Sequence, residues 1–159
     1  MELGDLIRAD AILPNLRTKE KKATLQELAG RAAKLADLPQ RDVFEALLQR
    51  ERLGSTGVGR GIAIPHARMA GLKSICCLFA RLAEPVPFDS PDGEPVDLVF
   101  VLLAPEDAGA DHLKALARIA RLLREPDAAG RLRAAKDAAS ILAILNNPEI
   151  TPRPMPLAG

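Results

Sequence analysis

The run from Val96 to Leu103 constrains the fold more than any other part of the chain. It is almost entirely apolar, and such a run is typical of a central strand covered on both faces. The segment 107–124 follows with the pattern of an amphipathic helix, and a second strand is expected over 74–82. Strands that alternate with helices favour an α/β layer architecture. The expected inner face of the helix at 107–124 consists of Leu113, Leu116, Ile119, Ala120 and Leu123.

Two helices are predicted nearer the N-terminus. Thr18 is the expected N-cap of the first, with Glu20 in its first turn. The second follows Pro39 and ends close to Arg50, with Gly54 just beyond it as a stop signal. The remaining expected elements are an edge element at 10–16 and short helices at 128–136 and 138–145.

Length and composition indicate one globular domain. The chain has 159 residues, of which 48% are hydrophobic and 27% charged, with a net charge of +1. This balance gives no electrostatic case for nucleic acid, and no apolar run approaches the roughly 20 residues that a membrane helix needs. The acidic N-terminus lacks an apolar signal region, so we expect a cytoplasmic protein. We expect the domain to span residues 1–147, followed by a disordered proline-rich tail at 148–159.

Cys76 and Cys77 are the two cysteines of the chain. Neighbouring residues on a strand point to opposite faces, so joint metal binding by this pair is not expected. We interpret them as two reduced structural thiols, and we expect neither a metal nor a cofactor.

The stretch from Gly54 to Arg68 carries the chemistry. A glycine-rich loop leads into a short apolar strand, which Pro65 is expected to stop because proline cannot donate to a sheet ladder. His66 is then expected to leave the sheet at its rim, near Arg60 and Arg68 in sequence. A neutral imidazole among cations suits a nucleophile that meets an anion.

This stretch resembles the active-site segment of the mannitol/fructose/nitrogen-type enzyme IIA domains of the bacterial phosphoenolpyruvate-dependent phosphotransferase system. The string Gly-Ile-Ala-Ile-Pro-His at 61–66 carries the resemblance, together with Arg-Glu-Arg at 50–52, the apolar strand at 95–105 and Asp-His-Leu at 111–113. It covers residues 3–146. It implies a mixed β-sheet sandwiched by helices. The loop at 54–61 and the lack of a fused transporter domain resemble the nitrogen-type members.

The resemblance also implies roles for site residues. His66 would accept a phosphoryl group from the phosphohistidine of a small carrier protein, and Arg50 would neutralise the phosphoryl charge. His112 would assist from the start of a later helix. As weaker phosphoryl contacts we name Thr56, Gly57 and Arg60; the Thr56 hydroxyl could equally bond local backbone. Arg52 is a weaker alternative to Arg50, and Arg68 is interpreted as local surface charge.

Three rival motifs fail on the residues themselves. A Walker loop needs Gly-Lys-Ser/Thr, but the glycines at 54–59 are followed by Arg60-Gly61. A dinucleotide fingerprint needs glycine at position 62, where isoleucine stands. A zinc site built on His66 and His112 lacks a third ligand of matched spacing.

We therefore predict a phosphocarrier that regulates partner proteins, such as kinases or ion transporters, through its phosphorylation state. The alternative is a sugar-transport IIA component that passes the phosphoryl group to a IIB domain. A third possibility is a member that keeps the fold but has lost phosphorylation, and the intact His66, Arg50 and His112 argue against it. No nucleic-acid partner and no membrane insertion are expected.

Overall fold

The computed structural model describes residues 7–146. The strands are β1 (Ile12–Leu16), β2 (Gly57–Gly59), β3 (Ile62–Ala63), β4 (His66–Met69), β5 (Cys76–Val86) and β6 (Val96–Pro105). The helices are α1 (Lys21–Ala36), α2 (Gln40–Leu53), α3 (Ala110–Arg124), α4 (Pro126–Ala134) and α5 (Ala138–Asn146), and a 3-10 turn at Ala9–Ala11 precedes β1.

The six strands form one mixed sheet in the order β1-β5-β6-β3-β2, and β4 also pairs with β6. The antiparallel pair β5–β6 lies in the middle, while β1 runs parallel to β5 and both β3 and β4 run parallel to β6. Helix α1 packs on β5, α2 on β4, α3 on β6 and α5 on β1. The predicted α/β fold, a mixed sheet flanked by helices, is confirmed.

The core centres on the β5–β6 pair. Phe79 and Phe100 face each other across it in an edge-to-face contact with ring centroids 5.9 Å apart, and both are fully buried. Each such side chain contributes about 1.5–3 kcal/mol through burial of apolar surface. From Leu98 to Ala104 every residue of β6 is buried, which confirms the central strand expected from its apolar run.

Helix α3 differs from its expected form. It begins at Ala110 after Gly109, whose φ is 57°, and its N-terminus has no side-chain cap. Most of the expected inner face is confirmed, since Ile119 and Leu123 are buried and Leu116 and Ala120 pack partly buried against the core. Leu113 was wrong, because it is 63% exposed and His112 is the buried residue of the first turn. The buried residues are His112, Ala115, Ile119, Leu122 and Leu123.

The start of α1 also differs from the expected start. Glu20 occupies the N-cap position and makes no side-chain cap there. The Thr18 hydroxyl instead lies 2.6 Å from the Thr24 hydroxyl, which donates to the Glu20 carbonyl oxygen at 2.8 Å. Thr18 was therefore wrong as an N-cap, because its side chain is taken up by a residue inside the helix.

The strand that was expected to stop at Pro65 resumes directly after it. Ile62 and Ala63 pair with Leu98 and Val99 of β6, and His66 pairs with Leu102 in the same register. His66 is therefore the first residue of β4 and does not leave the sheet. Ile64 and Pro65 are the two residues outside the ladder, and they separate β3 from β4 along the same side of β6.

Cys76 and Cys77 are free thiols, the first partly and the second fully buried. Within residues 7–146 no helix combines the length and hydropathy required to cross a bilayer. The expected disordered tail at 148–159 lies outside the described residues.

Candidate functional site

The break between β3 and β4 positions His66. Pro65 has no N–H to give to a ladder, although its carbonyl oxygen accepts from the Leu102 amide at 3.0 Å. The preceding carbonyl, that of Ile64, lies 2.8 Å from Nδ1 of His66. A carbonyl oxygen can only accept, so Nδ1 carries the proton and the lone pair of the neutral ring is on Nε2.

The surroundings of His66 favour its neutral form. Its pKa lies below the ordinary value of 6.5, chiefly because the ring is partly buried and also because the cation of Arg50 is near. The bond to the Ile64 carbonyl and the charge of Glu51 act in the opposite direction and are outweighed. The Nε2 lone pair is therefore available at neutral pH.

His112 approaches His66 from the first turn of α3. The two imidazole centroids are 5.7 Å apart, with an angle of 62° between the ring planes. Nδ1 of His112 accepts from Nε of Arg68 at 3.1 Å. His112 is only 6% exposed, and its buried Nε2 has no hydrogen-bond partner among the described residues. Burial lowers the pKa of His112, and nearby His66 and Arg68 lower it further.

Arg50 lies in the last turn of α2 and is half-buried. Its Nη1 donates to the Gly54 carbonyl oxygen at 2.9 Å, and this bond holds the arginine at the start of the glycine-rich segment. A guanidinium has five N–H groups, so this bond leaves donors for an anion. The charge of Arg50 is close enough to the ring to be one of the causes that lower the pKa of His66.

A buried carboxylate holds the glycine loop against α2. Glu51, 7% exposed, accepts from the Thr56 amide at 2.8 Å, from the Thr56 hydroxyl at 2.5 Å and from Lys21 at 2.9 Å. Lys21 also donates to the Phe88 carbonyl oxygen at 3.2 Å. Through these bonds Glu51 and Lys21 connect α2 with the segment at Thr56, with α1 and with the loop between β5 and β6.

Known protein families include one that matches almost the whole of this chain. The family described as "Phosphoenolpyruvate-dependent sugar phosphotransferase system, EIIA 2" matches residues 5–148. The chain belongs to this EIIA family. The recognition of an enzyme IIA domain from the string at 61–66 is thereby confirmed.

Individual relatives place the chain on the nitrogen-regulatory side of the EIIA family. A nitrogen regulatory protein of Bradyrhizobium diazoefficiens is 58% identical over 151 residues, which cover 95% of this chain and 99% of that protein. The crystal structure of nitrogen regulatory protein IIA-Ntr from Neisseria meningitidis superposes with a TM-score of 0.86 at 39% identity, covering 90% of this chain and 98% of that one. A fructose-specific EIIABC component of Bacillus subtilis is 36% identical, covering 92% of this chain but 23% of that protein.

The three weaker expected contacts, Thr56, Gly57 and Arg60, each donate a hydrogen bond elsewhere in this EIIA domain. The Thr56 hydroxyl gives its single proton to Glu51, and the Gly57 amide donates to the Ser55 hydroxyl at 3.0 Å. Arg60 extends to the carbonyl oxygen of Arg124, 3.2 Å away at the end of α3. Contacts from these three residues to a phosphoryl group stay predictions, and the bonds observed here are bonds within the protein.

Two site residues escaped the sequence analysis. Glu51 was named only as part of the Arg-Glu-Arg string at 50–52, and no feature of the sequence indicated that its side chain is buried. Arg68 was interpreted as surface charge, but it contacts His112. A signal existed: residues 66 and 68 are two apart on a strand, so their side chains share a face. No group of three or more histidine, cysteine or acidic side chains that could hold a metal occurs in the part of the chain that the structure describes.

Proposed function

We propose that this chain is a phosphocarrier of a nitrogen-type phosphotransferase system. Nε2 of His66 accepts a phosphoryl group from the phosphohistidine of a small carrier protein, and the resulting charge regulates partner proteins. The observation that carries the proposal is the 2.8 Å contact between Nδ1 of His66 and the Ile64 carbonyl oxygen. It supports a ring whose only free lone pair is on Nε2.

The transfer needs no proton movement on His66. The Nε2 lone pair forms a bond to phosphorus while the bond from phosphorus to the donor's ring nitrogen breaks, and its electron pair returns to that nitrogen. The His66 ring becomes positively charged and keeps its Nδ1 proton. The Ile64 carbonyl and the carboxylate of Glu51 stabilise that charge, since both raise the pKa of the ring.

Arg50 and His112 act on the phosphoryl oxygens. Phosphoryl transfer depends mainly on positioning and on stabilising the charge spread over those oxygens. Arg50 offers a cation whose field already reaches His66. His112 offers a ring 5.7 Å away with a buried, unpartnered Nε2 among the described residues.

Regulation is the preferred outcome of phosphorylation, and a cytoplasmic location is part of this proposal. It is supported by relatives named nitrogen regulatory proteins that match over nearly their whole length. The second candidate, transfer onward to a IIB domain in sugar uptake, is favoured by the fructose-specific EIIABC relative. A phosphoryl group adds close to two negative charges at the site, which would expel a partner that buries it.

Intact-mass analysis after incubation with phosphoenolpyruvate and the upstream carriers tests the phosphocarrier proposal. We expect a gain of one phosphoryl group that is lost in acid, as a phosphoramidate is. The chain has two histidines, so His66→Ala and His112→Ala assign the site. His66→Ala should abolish labelling, His112→Ala should only slow it, and Arg50→Ala should weaken it more than Arg121→Ala does. Full labelling of a folded His66→Ala protein would overturn the proposal.

A pull-down tests the regulatory part separately. The free protein and a His66→Asp variant, which carries a negative charge at the site, serve as bait in native cytosol. We expect partners that bind the free protein at least about tenfold more tightly, a difference of about 1.4 kcal/mol. Recovery of only a sugar-specific IIB protein, with rapid phosphoryl transfer to it, would overturn regulation and leave the phosphocarrier chemistry intact.

A further inference from the structure

We propose that Arg68 is a positioning residue: it fixes His112 in the tautomer that carries its proton on Nε2, and so makes His112 a hydrogen-bond donor to the phosphoryl group on His66. The inference deepens the proposed function and rests on it for the identity of the acceptor. The Arg68–His112 contact is independent of it.

The geometry of β4 brings Arg68 to the site. His66 and Arg68 alternate along the strand and therefore share a face, and both meet His112 of α3. Nε of Arg68 lies 3.1 Å from Nδ1 of His112, while the His112 ring centroid lies 5.7 Å from that of His66. One ring is thus in contact with both β4 side chains.

The chemistry of the contact decides the tautomer. A guanidinium has donors only and stays protonated in proteins, so Nδ1 of His112 must present its lone pair. The neutral ring then carries its proton on Nε2. The opposite tautomer would set two N–H groups against each other, and a doubly protonated ring would add a cation beside Arg68. Consistent with this, Arg68 is one of the causes that lower the pKa of His112.

The proton fixed on Nε2 has no acceptor among the described residues, although the atom is buried and His112 is 6% exposed. Leaving a buried donor unsatisfied destabilises a folded protein. Such an arrangement is typical of a site prepared for an acceptor that arrives with its ligand. The oxygens of a phosphoryl group on the neighbouring His66 are acceptors of the required kind.

The two histidines are consequently held in opposite tautomers. The Ile64 carbonyl leaves His66 with a lone pair on Nε2, and Arg68 leaves His112 with a proton there. The difference assigns the nucleophile and the donor without reference to any relative.

Ring ¹⁵N spectra of histidine-labelled protein test the inference directly, because the chain has two histidines and His66→Ala assigns them. In the unmodified chain we expect His112 with its proton on Nε2. Arg68→Ala should let both tautomers of His112 populate and should slow phosphoryl acceptance about tenfold. Arg68→Gln keeps an N–H donor without the charge, and it should restore the tautomer and most of the rate. Arg121→Ala, which removes an exposed arginine farther along α3, should change neither.

Two results would overturn the inference. One is an unchanged His112 tautomer in Arg68→Ala, and the other is a changed tautomer with no loss of rate. Normal melting of each variant excludes misfolding as the cause, which is expected because Arg68 is exposed. Failure of the unmodified chain to accept any phosphoryl group would instead refute the proposed function, while the spectra would still report whether Arg68 sets the tautomer.

Discussion

At the scale of residues, the site contains two imidazoles, and each has a neighbour that can act only as a hydrogen-bond acceptor or only as a donor. The Ile64 carbonyl can only accept and the Arg68 guanidinium can only donate, at 2.8 Å and 3.1 Å from the respective rings. Both rings also have lowered pKa values because burial disfavours their charged forms. These contacts favour a neutral ring on both histidines, with the proton on Nδ1 of His66 and on Nε2 of His112.

These pKa directions predict that the protein loses stability just below pH 6.5. The pKa of His66 and that of His112 are lowered in the folded chain from 6.5, their value in the unfolded chain. Between the two values the unfolded state binds more protons, so the free energy of unfolding rises with pH. This contribution is fully present above 6.5 and is lost as the pH falls through the folded pKa values.

Urea unfolding at a series of pH values measures this dependence. A variant with both His66 and His112 replaced by glutamine is the control, and its unfolding midpoint should vary less over the same window. Exposed Asp92 and Asp137 also have lowered pKa values, but from an ordinary value of 3.8, so they act at lower pH. An equal slope in the control would show that the histidines do not carry the effect.

At the scale of elements, the sequence predicted most helices and strands, including the helix that carries His112, but it did not predict β4, the strand that carries His66. The apolar pattern gave the middle of the sheet because β6 is buried on both faces. Pro65 was interpreted as the end of a strand, since proline ends ladders, but a parallel neighbour in unchanged register lets the strand resume at His66. The burial of His112 was not predicted from the helical pattern, because a periodicity analysis counts histidine as polar. The role of Arg68 was missed for another reason: its partner, His112, comes from an element 44 residues away in the chain.

The junction of α2 with the glycine loop depends on Glu51, and its removal should destabilise the protein. Glu51→Ala leaves the Thr56 amide and hydroxyl without their acceptor in a buried place. We expect the free energy of unfolding to fall by about 1.5–3 kcal/mol, the range for hydrogen bonds to a charged group. Because Glu51 raises the pKa of His66, that pKa should fall further in the variant.

Chemical unfolding and an NMR titration of His66 measure both effects. Asp89→Asn is the matched control, because Asp89 also faces Lys21, at 3.5 Å, but its side chain is 87% exposed. An exposed pair contributes about 0–1 kcal/mol, and asparagine tolerates the φ of 55° found at this position. Equal losses in the two variants would mean that Glu51 is not the anchor of the loop.

At the scale of the whole molecule, the sheet carries His66, and helix ends and loops surround it. Within residues 7–146 the large hydrophobic side chains that are exposed are those of Leu53, Val58 and Leu113. Leu53 ends the helix of Arg50, Val58 lies in β2 and Leu113 follows His112. Exposed apolar side chains that neighbour a charged site are suited to docking a protein donor.

Leu113→Asp should therefore impair transfer from the carrier protein without affecting the fold. We expect the KM for the donor to rise at least about fivefold, equivalent to about 1 kcal/mol, while the melting temperature stays unchanged because the side chain is 63% exposed. Ala117→Asp introduces the same charge at another exposed position of α3 and is the control. A KM that rises equally in both variants would indicate a general charge effect and not a lost contact.

The two sides of the site should open at different rates, because the N-terminus of α3 has no side-chain cap. His66 lies in β4, which pairs on one side with the central strand β6, and the amides of β4 that take part in this pairing should exchange hydrogen for deuterium slowly. The first turn of α3 has no side chain to hold its amides, and such turns fray readily. Deuterium should enter around His112 long before it reaches β6. The side of the site that carries His112 should therefore open more often than the side that carries His66.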